Sequence, residues 1–295
     1  MSRPSVDDAA GENAPAKVNL ALHVLGRRAD GYHTLESLIV FPPVGDRLAA
    51  APAESRSLGV EGPFAGAVPS DADNLVLAAA ERLAARCAVA PAGVRLTLTK
   101  RLPVAAGIGG GSADAAAALR LLDRRWALGL GEAALAEIGA TLGADVPACV
   151  RSRPVLVRGI GERLDPAPAL PAAGLLLANP RVPVSTPAVF ATLARRENPP
   201  LPPMPAGWPD AAALAAWLGG CRNDLEEPAL ALAPEIGAVL ARLAALPGAL
   251  LTRLSGSGAT AFALFASAEA AAAAGRRLAA DRPGWWVEAT RIDPA

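Results

Sequence analysis

The spacing of apolar positions changes along the chain, and the changes mark its elements. Val18, Leu20, Leu22 and Val24 alternate with Lys17, Asn19, Ala21 and His23. A period of two predicts a half-buried strand whose polar face carries a lysine, an asparagine and a histidine. Arg28-Ala29-Asp30-Gly31 is a turn signal, and a second strand is expected over His33–Phe41. Leu75, Leu77, Leu83 and Val89 predict a helix over Asp73–Val89. Val94–Arg101 then alternates as a strand, closed by Pro103. Helices are expected over Ser112–Arg125 and Gly131–Leu142. Beyond Pro154 the pattern gives short strands at Val155–Arg158 and Leu175–Ala178, and helices at Asp210–Leu218 and about Glu226–Leu246. It ends as strand, strand, helix, strand: Leu250–Leu254, Ala259–Phe265, a helix to about Ala280, and Trp285–Ile292. Asn198–Pro209 holds six prolines in 12 residues and should be a surface loop. The sequence therefore reads as an α+β chain in two halves: residues 1–13 as a loose leader, 14–153 as an N-terminal domain and 154–295 as a C-terminal domain.

Composition narrows the function. Of 295 residues, 52% are hydrophobic and 19% charged, which excludes a disordered chain. The formal net charge is zero and neither half is strongly basic, so neither a nucleic acid nor an anionic membrane surface is an expected partner. The longest uncharged stretches, Pro166–Pro180 and Leu254–Ala268, are 15 residues each and too short to span a bilayer. The polar N-terminus lacks the apolar core of a signal peptide. Cys87, Cys149 and Cys221 lie too far apart for a zinc knuckle or a disulfide framework. A soluble protein of the reducing cytoplasm is expected, as a monomer or weak homodimer. All but two of the 28 basic residues are arginine. The exceptions, Lys17 and Lys100, are retained either by chance or because those positions need a compact ammonium.

The most informative segment joins a predicted strand to a predicted helix: Pro103, Val104, Ala105, Ala106, Gly107, Ile108, Gly109, Gly110, Gly111, Ser112 and Ala113. Four glycines in five positions let backbone N–H groups approach a ligand, and the helix behind adds unpaired N–H groups and a positive dipole end. Phosphate is the expected ligand. No lysine follows the glycines as in a Walker loop. Ser112 stands where a dinucleotide fingerprint needs its third glycine, and the acidic residue expected after the next strand is missing.

With its flanks, this segment resembles the nucleotide motif of the GHMP kinases. Ala14-Pro15-Ala16-Lys17-Val18-Asn19-Leu20 resembles their first motif, and Arg253-Leu254-Ser255-Gly256-Ser257-Gly258-Ala259 their third. Gly26–Leu35, with Gly31-Tyr32-His33-Thr34-Leu35 at its end, and Leu142-Gly143-Ala144-Asp145-Val146-Pro147 resemble one branch of the family. Further matches to that branch are Gly159-Ile160-Gly161-Glu162, Ser185–Phe190 and Asn223-Asp224-Leu225-Glu226. The resemblance implies a ribosomal S5-like N-terminal half and a ferredoxin-like C-terminal half. It implies ATP, brought with Mg²⁺, as donor, and a small-molecule acceptor carrying a cytidine diphosphate group, phosphorylated at its C2 hydroxyl in an isoprenoid route that does not use mevalonate. The loop departs from many members at Ala105-Ala106, where they have glycine, and at Ala113-Asp114, where they have Ser-Asn.

The same resemblance gives the residues roles. Asp145 becomes the base for the acceptor hydroxyl, with Lys17 the cation beside it; helix capping is the alternative for Asp145. A carboxylate next to an ammonium stays ionised, and the ammonium can hold the developing charge. Asn19, on the face of Lys17, is expected to reach the substrate. Tyr32, the sole tyrosine, and Phe190 are expected to stack the cytosine, with His33 on its edge. Ser112 either ligates Mg²⁺ or caps the helix. Asn74 and Lys100 are candidate adenosine contacts, solvated surface roles being the alternative. Arg253–Gly258 either closes over the site or is a simple turn, and no second acidic Mg²⁺ ligand is evident. The other readings are a sibling GHMP kinase, a binding protein that kept the fold, and a nicotinamide oxidoreductase.

Overall fold

The computed structural model describes residues 11–69, 73–87 and 93–294. Its elements begin with Glu12–Pro15 (β1), Val18–Arg27 (β2), His33–Val40 (β3), Gly45–Pro52 (β4), Ser57–Glu61 (β5), Leu75–Cys87 (α1) and Val94–Thr99 (β6). Gly110–Arg125 (α2), Gly131–Ala140 (α3), Val146–Arg151 (α4), Val155–Gly159 (β7), Arg163–Pro166 (β8), Ala173–Asn179 (β9) and Thr186–Ala191 (α5) follow. The chain continues with Ala211–Gly219 (α6), Glu226–Leu232 (α7), Glu235–Ala244 (α8), Leu251–Leu254 (β10), Ala261–Phe265 (β11), Ala268–Asp281 (α9) and Trp286–Ile292 (β12).

Two compact units result, and they interleave along the chain. The first holds the described residues up to Pro15 with Gly45–Val104 and Gly110–Ser152; the second holds Ala16–Val44, Ala105–Gly109 and the chain from Arg153. The expected partition into 14–153 and 154–295 thus meets a different arrangement. The reason is strand pairing: β3 runs antiparallel to β7, Ser37 facing Val157, so residues 16–44 join the later part of the chain. Of the expected leader, Glu12 and Asn13 are strand, paired with Leu48 and Arg47. Residues 1–10 lie outside the described residues, as do residues 88 and 89 of the expected helix over 73–89.

In the first unit the sheet order is β1-β4-β6-β5, with β5 parallel to β6 and the other pairs antiparallel. β6 buries Val94, Leu96 and Leu98 on one face and turns Arg95, Thr97 and Thr99 the other way. α2 packs on α1, β1 and β4. Its run Ala115–Ala118 is fully buried, and the small side chains permit close approach. Leu83, Leu96, Leu98 and Leu119 are also fully buried, each contributing about 1.5–3 kcal/mol.

The second unit has two antiparallel sheets, β2-β3-β7-β8 and β10-β11-β9-β12. β9 is buried along its whole length, with α8 and α9 packed against its sheet. The polar face expected on β2 exists but is buried: Asn19 is 3% and His23 0% exposed, beside Lys17 at 6%. His23 explains part of this. Its Nδ1 bonds the Pro199 carbonyl (3.0 Å) and its Nε2 accepts from the Arg222 amide (2.8 Å). The proline-rich segment has no helix or strand, as expected, but it is pinned inward rather than lying loose. Leu201 N donates to Glu36 Oε2, Asn198 Nδ2 to the Val24 carbonyl, and Leu201 and Trp208 are buried. The single helix expected over Glu226–Leu246 is two, because Pro234 cannot continue α7.

Candidate active site

The glycine loop is held from behind by its carbonyls. Four successive ones each accept a hydrogen bond within the second unit: Ala105 from Val184 N, Ala106 from Thr260 N, Gly107 from Ser255 Oγ and Ile108 from Lys17 N. The backbone is therefore fixed before any ligand arrives. Gly107 has φ +73°, and a side-chain carbon there would stand 2.5 Å from Ser255 O and Gly258 N. Gly109, at φ +63°, would press its carbon to 3.0 Å from Lys17 Cβ and Cε. Both positions need glycine. The third motif accordingly packs against the loop. Within it Arg253 is a structural anchor, donating to the Leu20, Leu218 and Cys221 carbonyls, with burial pulling its pKa below the ordinary value.

Lys17 lies at the start of β2. Its Nζ donates to Asn19 Oδ1 (3.1 Å), while Asn19 Nδ2 donates to Ser37 Oγ (2.7 Å) and Ser37 to the Ala21 carbonyl. Asn19 N donates to Ser255 Oγ, the hydroxyl that also holds Gly107. One buried network thus fixes Lys17, Asn19 and the first half of the loop. Ser37 and Ser255 were not singled out in the sequence. Ser255 lay within a recognised motif, whereas nothing local marked Ser37.

The loop's second half opens α2, in the first unit. The helix begins at Gly110, two residues earlier than expected, so Ser112 is its third residue and does not cap it. Lys100 and Asp114 are not surface residues. Lys100 Nζ lies 2.6 Å from both Asp46 Oδ2 and Asp114 Oδ2, and all three side chains are at most 5% exposed. Burial would lower the lysine's pKa, but the two carboxylates override it and hold the ammonium above its ordinary value. The candidate adenosine contact at Lys100 is corrected: its ammonium is committed to this triad, and the aspartate at 114 is its partner. Asn74 caps α1, its Oδ1 accepting from Val76 N and its Nδ2 bonding the Pro69 carbonyl. That side chain too is engaged by the protein itself.

Asp145 occupies the N-cap position of α4, with φ −82° and ψ −19°, yet makes no side-chain capping bond. The capping alternative is therefore excluded. α4 is fixed at its other end by Arg120, which donates to the Cys149 and Val150 carbonyls, to Ser152 Oγ, to Asn13 O and to Glu12 Oε1.

The expected base site lies at the β2–β3 turn and α5. Tyr32 is 61% exposed, its backbone held by Asp30 and Arg28. His33 and Phe190 stack on each other, with centroids 5.1 Å apart and planes at 26°. The expectation that Phe190 stacks the cytosine together with Tyr32 is thus altered: one face of Phe190 is taken by His33. Desolvation, then the charges of Arg27 and Arg196, lower the His33 pKa, so the ring is neutral at neutral pH. Its Nε2 is buried with no hydrogen-bond partner among the described residues.

Comparison with known proteins identifies the chain as a small-molecule kinase. The description "GHMP kinases N terminal domain" matches residues 74–153 and "GHMP kinases C terminal" matches 208–283, and the chain belongs to the GHMP kinases. It is 56% identical over 280 residues to a 4-diphosphocytidyl-2-C-methyl-D-erythritol kinase of Cereibacter sphaeroides, covering 95% of this chain and 98% of that one. The corresponding protein of Paracoccus denitrificans is 55% identical, covering 96% and 97%. A crystal structure of 4-(cytidine 5'-diphospho)-2C-methyl-D-erythritol kinase superposes with a TM-score of 0.79 at 35% identity, covering 96% and 98%. Within the GHMP kinases the chain is a member of the 4-diphosphocytidyl-2-C-methyl-D-erythritol kinase family.

Proposed function

We propose that the protein transfers the γ-phosphoryl group of ATP to the C2 hydroxyl of 4-diphosphocytidyl-2-C-methyl-D-erythritol. The products are the 2-phosphate and ADP, in isoprenoid-precursor synthesis that bypasses mevalonate. Beyond the family relationship, the base site carries this reading: an exposed Tyr32 beside a neutral His33 whose Nε2 is buried without a partner. A pyrimidine edge supplies the hydrogen bond that such a nitrogen lacks, and the cost of leaving it unpaired favours a ligand that satisfies it.

Residues 103–113 hold the ATP phosphates. Phosphoryl transfer needs mainly positioning and charge stabilisation. Asp145 accepts the proton of the acceptor hydroxyl as the new P–O bond forms. Lys17, oriented by Asn19, stabilises charge on the acceptor oxygen and the transferring group. Among the described residues no cluster of His, Cys, Asp or Glu could hold a metal ion. Mg²⁺ would come with the phosphates and keep much of its water shell, the Ser112 hydroxyl being the side chain of the loop able to join it. When bound, the ion supplies charge neutralisation on the phosphates. None of the three cysteines forms a disulfide and, among the described residues, no helix is long and apolar enough to cross a membrane. The proposed enzyme is cytoplasmic, a monomer or weak homodimer with no nucleic-acid partner. The test is ADP release measured with Mg²⁺–ATP and the cytidine substrate against mevalonate and homoserine. Turnover with either rival, and none with the cytidine substrate, would overturn the assignment.

A further inference from the structure

Ser37 lies on β3, outside every motif that marks the site, and its side chain is fully buried. An irregularity in β2 brings it to Asn19. Asn19 faces Ile39 on β3 and Ala21 faces Leu38, so β2 carries one extra residue, Leu20, at this point. In a regular strand Ala21 would share the face of Asn19. The bulge shifts that alternation, and Leu22, opposite Ser37, takes the side instead. Asn19 and Ser37 thus form a diagonal pair across the two strands, with the Ala21 carbonyl within reach of the serine.

The hydrogen bonds through Ser37 can run in only one direction. A carbonyl only accepts, so the Ser37 hydroxyl gives its one proton to Ala21 O at 2.7 Å. What it then offers Asn19 is a lone pair, which only the amide nitrogen can use, and Nδ2 donates to it at 2.7 Å. That leaves Oδ1 at the other end of the amide, where it accepts from Lys17 Nζ at 3.1 Å. Gly256, at φ +54°, makes room for this oxygen: a side-chain carbon there would stand 3.2 Å from it. An amide turned the other way would set its NH₂ against the ammonium and draw the hydroxyl proton off the Ala21 carbonyl. Both changes are costly in a buried network.

Resting on the reading of Lys17 as the cation that stabilises the transferring group, we propose that Ser37 is a positioning residue for phosphoryl transfer. It passes the fixed polarity of the Ala21 carbonyl to the Asn19 amide, and the amide steadies the Lys17 ammonium. Being fully buried, it acts through Asn19 and not on a substrate. Without its hydroxyl, Asn19 Nδ2 loses its acceptor in a buried setting, and the amide is drawn away from Lys17 towards the carbonyl that the hydroxyl bridged. An ammonium held less exactly stabilises the transition state less, while binding of either substrate is little affected.

The test is a double-mutant cycle on turnover of the full chain with Mg²⁺–ATP and the cytidine substrate. Ser37→Ala should lower kcat by about 10–100-fold and change either KM by less than about threefold. Asn19→Ala should lower kcat at least as far. The double variant should be no slower than Asn19→Ala alone, because the serine works through that amide. Losses that multiply in the double variant show a general structural role and overturn the proposal, as does a Ser37→Ala kcat near that of wild type. Should Ser37→Ala fold poorly, Ser37→Cys fills the space with a thiol that is a weak donor and acceptor. It should show the same split between kcat and KM, and an unchanged kcat there counts equally against the proposal. Lys17→Met separates the proposal from the reading beneath it. A crippled Lys17→Met beside an unimpaired Ser37→Ala removes the positioning role alone, whereas a Lys17→Met that keeps its kcat removes both.

Discussion

At the scale of single residues, the site separates groups that act from groups that hold. Asp145, proposed above as the base, makes no side-chain capping bond at the head of α4. Asp145→Asn keeps shape but removes the proton acceptor, and should lower kcat by about 10²–10⁴-fold with the ATP Kd nearly unchanged, as steady-state kinetics and calorimetry would show. A near-normal kcat would mean that positioning alone suffices. Tyr32 contributes an exposed ring, and Tyr32→Ala should raise KM for the cytidine substrate while ATP affinity stays constant. Parallel loss for both ligands would make the residue structural. His23 holds. Burial, opposed by the hydrogen bond to the Pro199 carbonyl, depresses its pKa. The folded state therefore favours the neutral ring, and its contribution to stability is present above the unfolded value of 6.5 and lost as pH falls through the lower folded value. Urea melts from pH 7.5 to 5 should show a loss that His23→Gln reduces. These residues were legible to different degrees. Lys17, Asn19 and Asp145 lie in local motifs and could be picked out from the chain as candidates. Asp46 bonds Lys100 across 54 positions, and no neighbouring pattern announced it.

Among the elements, the legible ones carry their own period. β2, β3, β6, α2 and α9 were expected close to their observed ends from the order of apolar and polar residues in the sequence, although the burial of β2 and β3 does not alternate. β4 and β5 were not expected. Gly45–Pro52 is rich in alanine and ends in proline, and it becomes a strand by lying between β1 and β6, with Arg47 opposite Thr99. Its structure comes from partners rather than from its own propensity. α4 shows the same dependence. Six residues cannot sustain a helix unaided, and Arg120 satisfies carbonyls at its C-terminal end. Arg120→Ala should destabilise the protein by about 2–4 kcal/mol through the carbonyls left unpaired. It should lower kcat more than it raises KM for ATP, because Asp145 begins this helix. Denaturant melts and kinetics together test this, and unchanged melts would remove Arg120 from its supporting role.

At the scale of the whole molecule, the interleaving of the two units is the feature least visible in the sequence. Each segment reads locally as well as any other, and only the pairing of β3 with β7 shows that residues 16–44 belong with those after 153. A fragment of residues 154–295 would lack β2 and β3, leaving β7 with β8 alone and one amine of Arg253 without the Leu20 carbonyl. It should therefore give no cooperative thermal transition by circular dichroism. A sharp melt near that of the full chain would show that the later segment folds alone.

The burial of both lysines reaches beyond catalysis. Lys17 is 6% and Lys100 2% exposed, and every other cationic side chain of the basic set is arginine. The folded protein thus presents almost no primary amine on its side chains. Amine-directed labels, lysine acylation and conjugation to surface lysines should therefore find little to react with on its side chains. Brief treatment of the native protein with an N-hydroxysuccinimide ester should leave Lys17 and Lys100 unmodified by peptide mapping, and both should be labelled when denaturant opens the core.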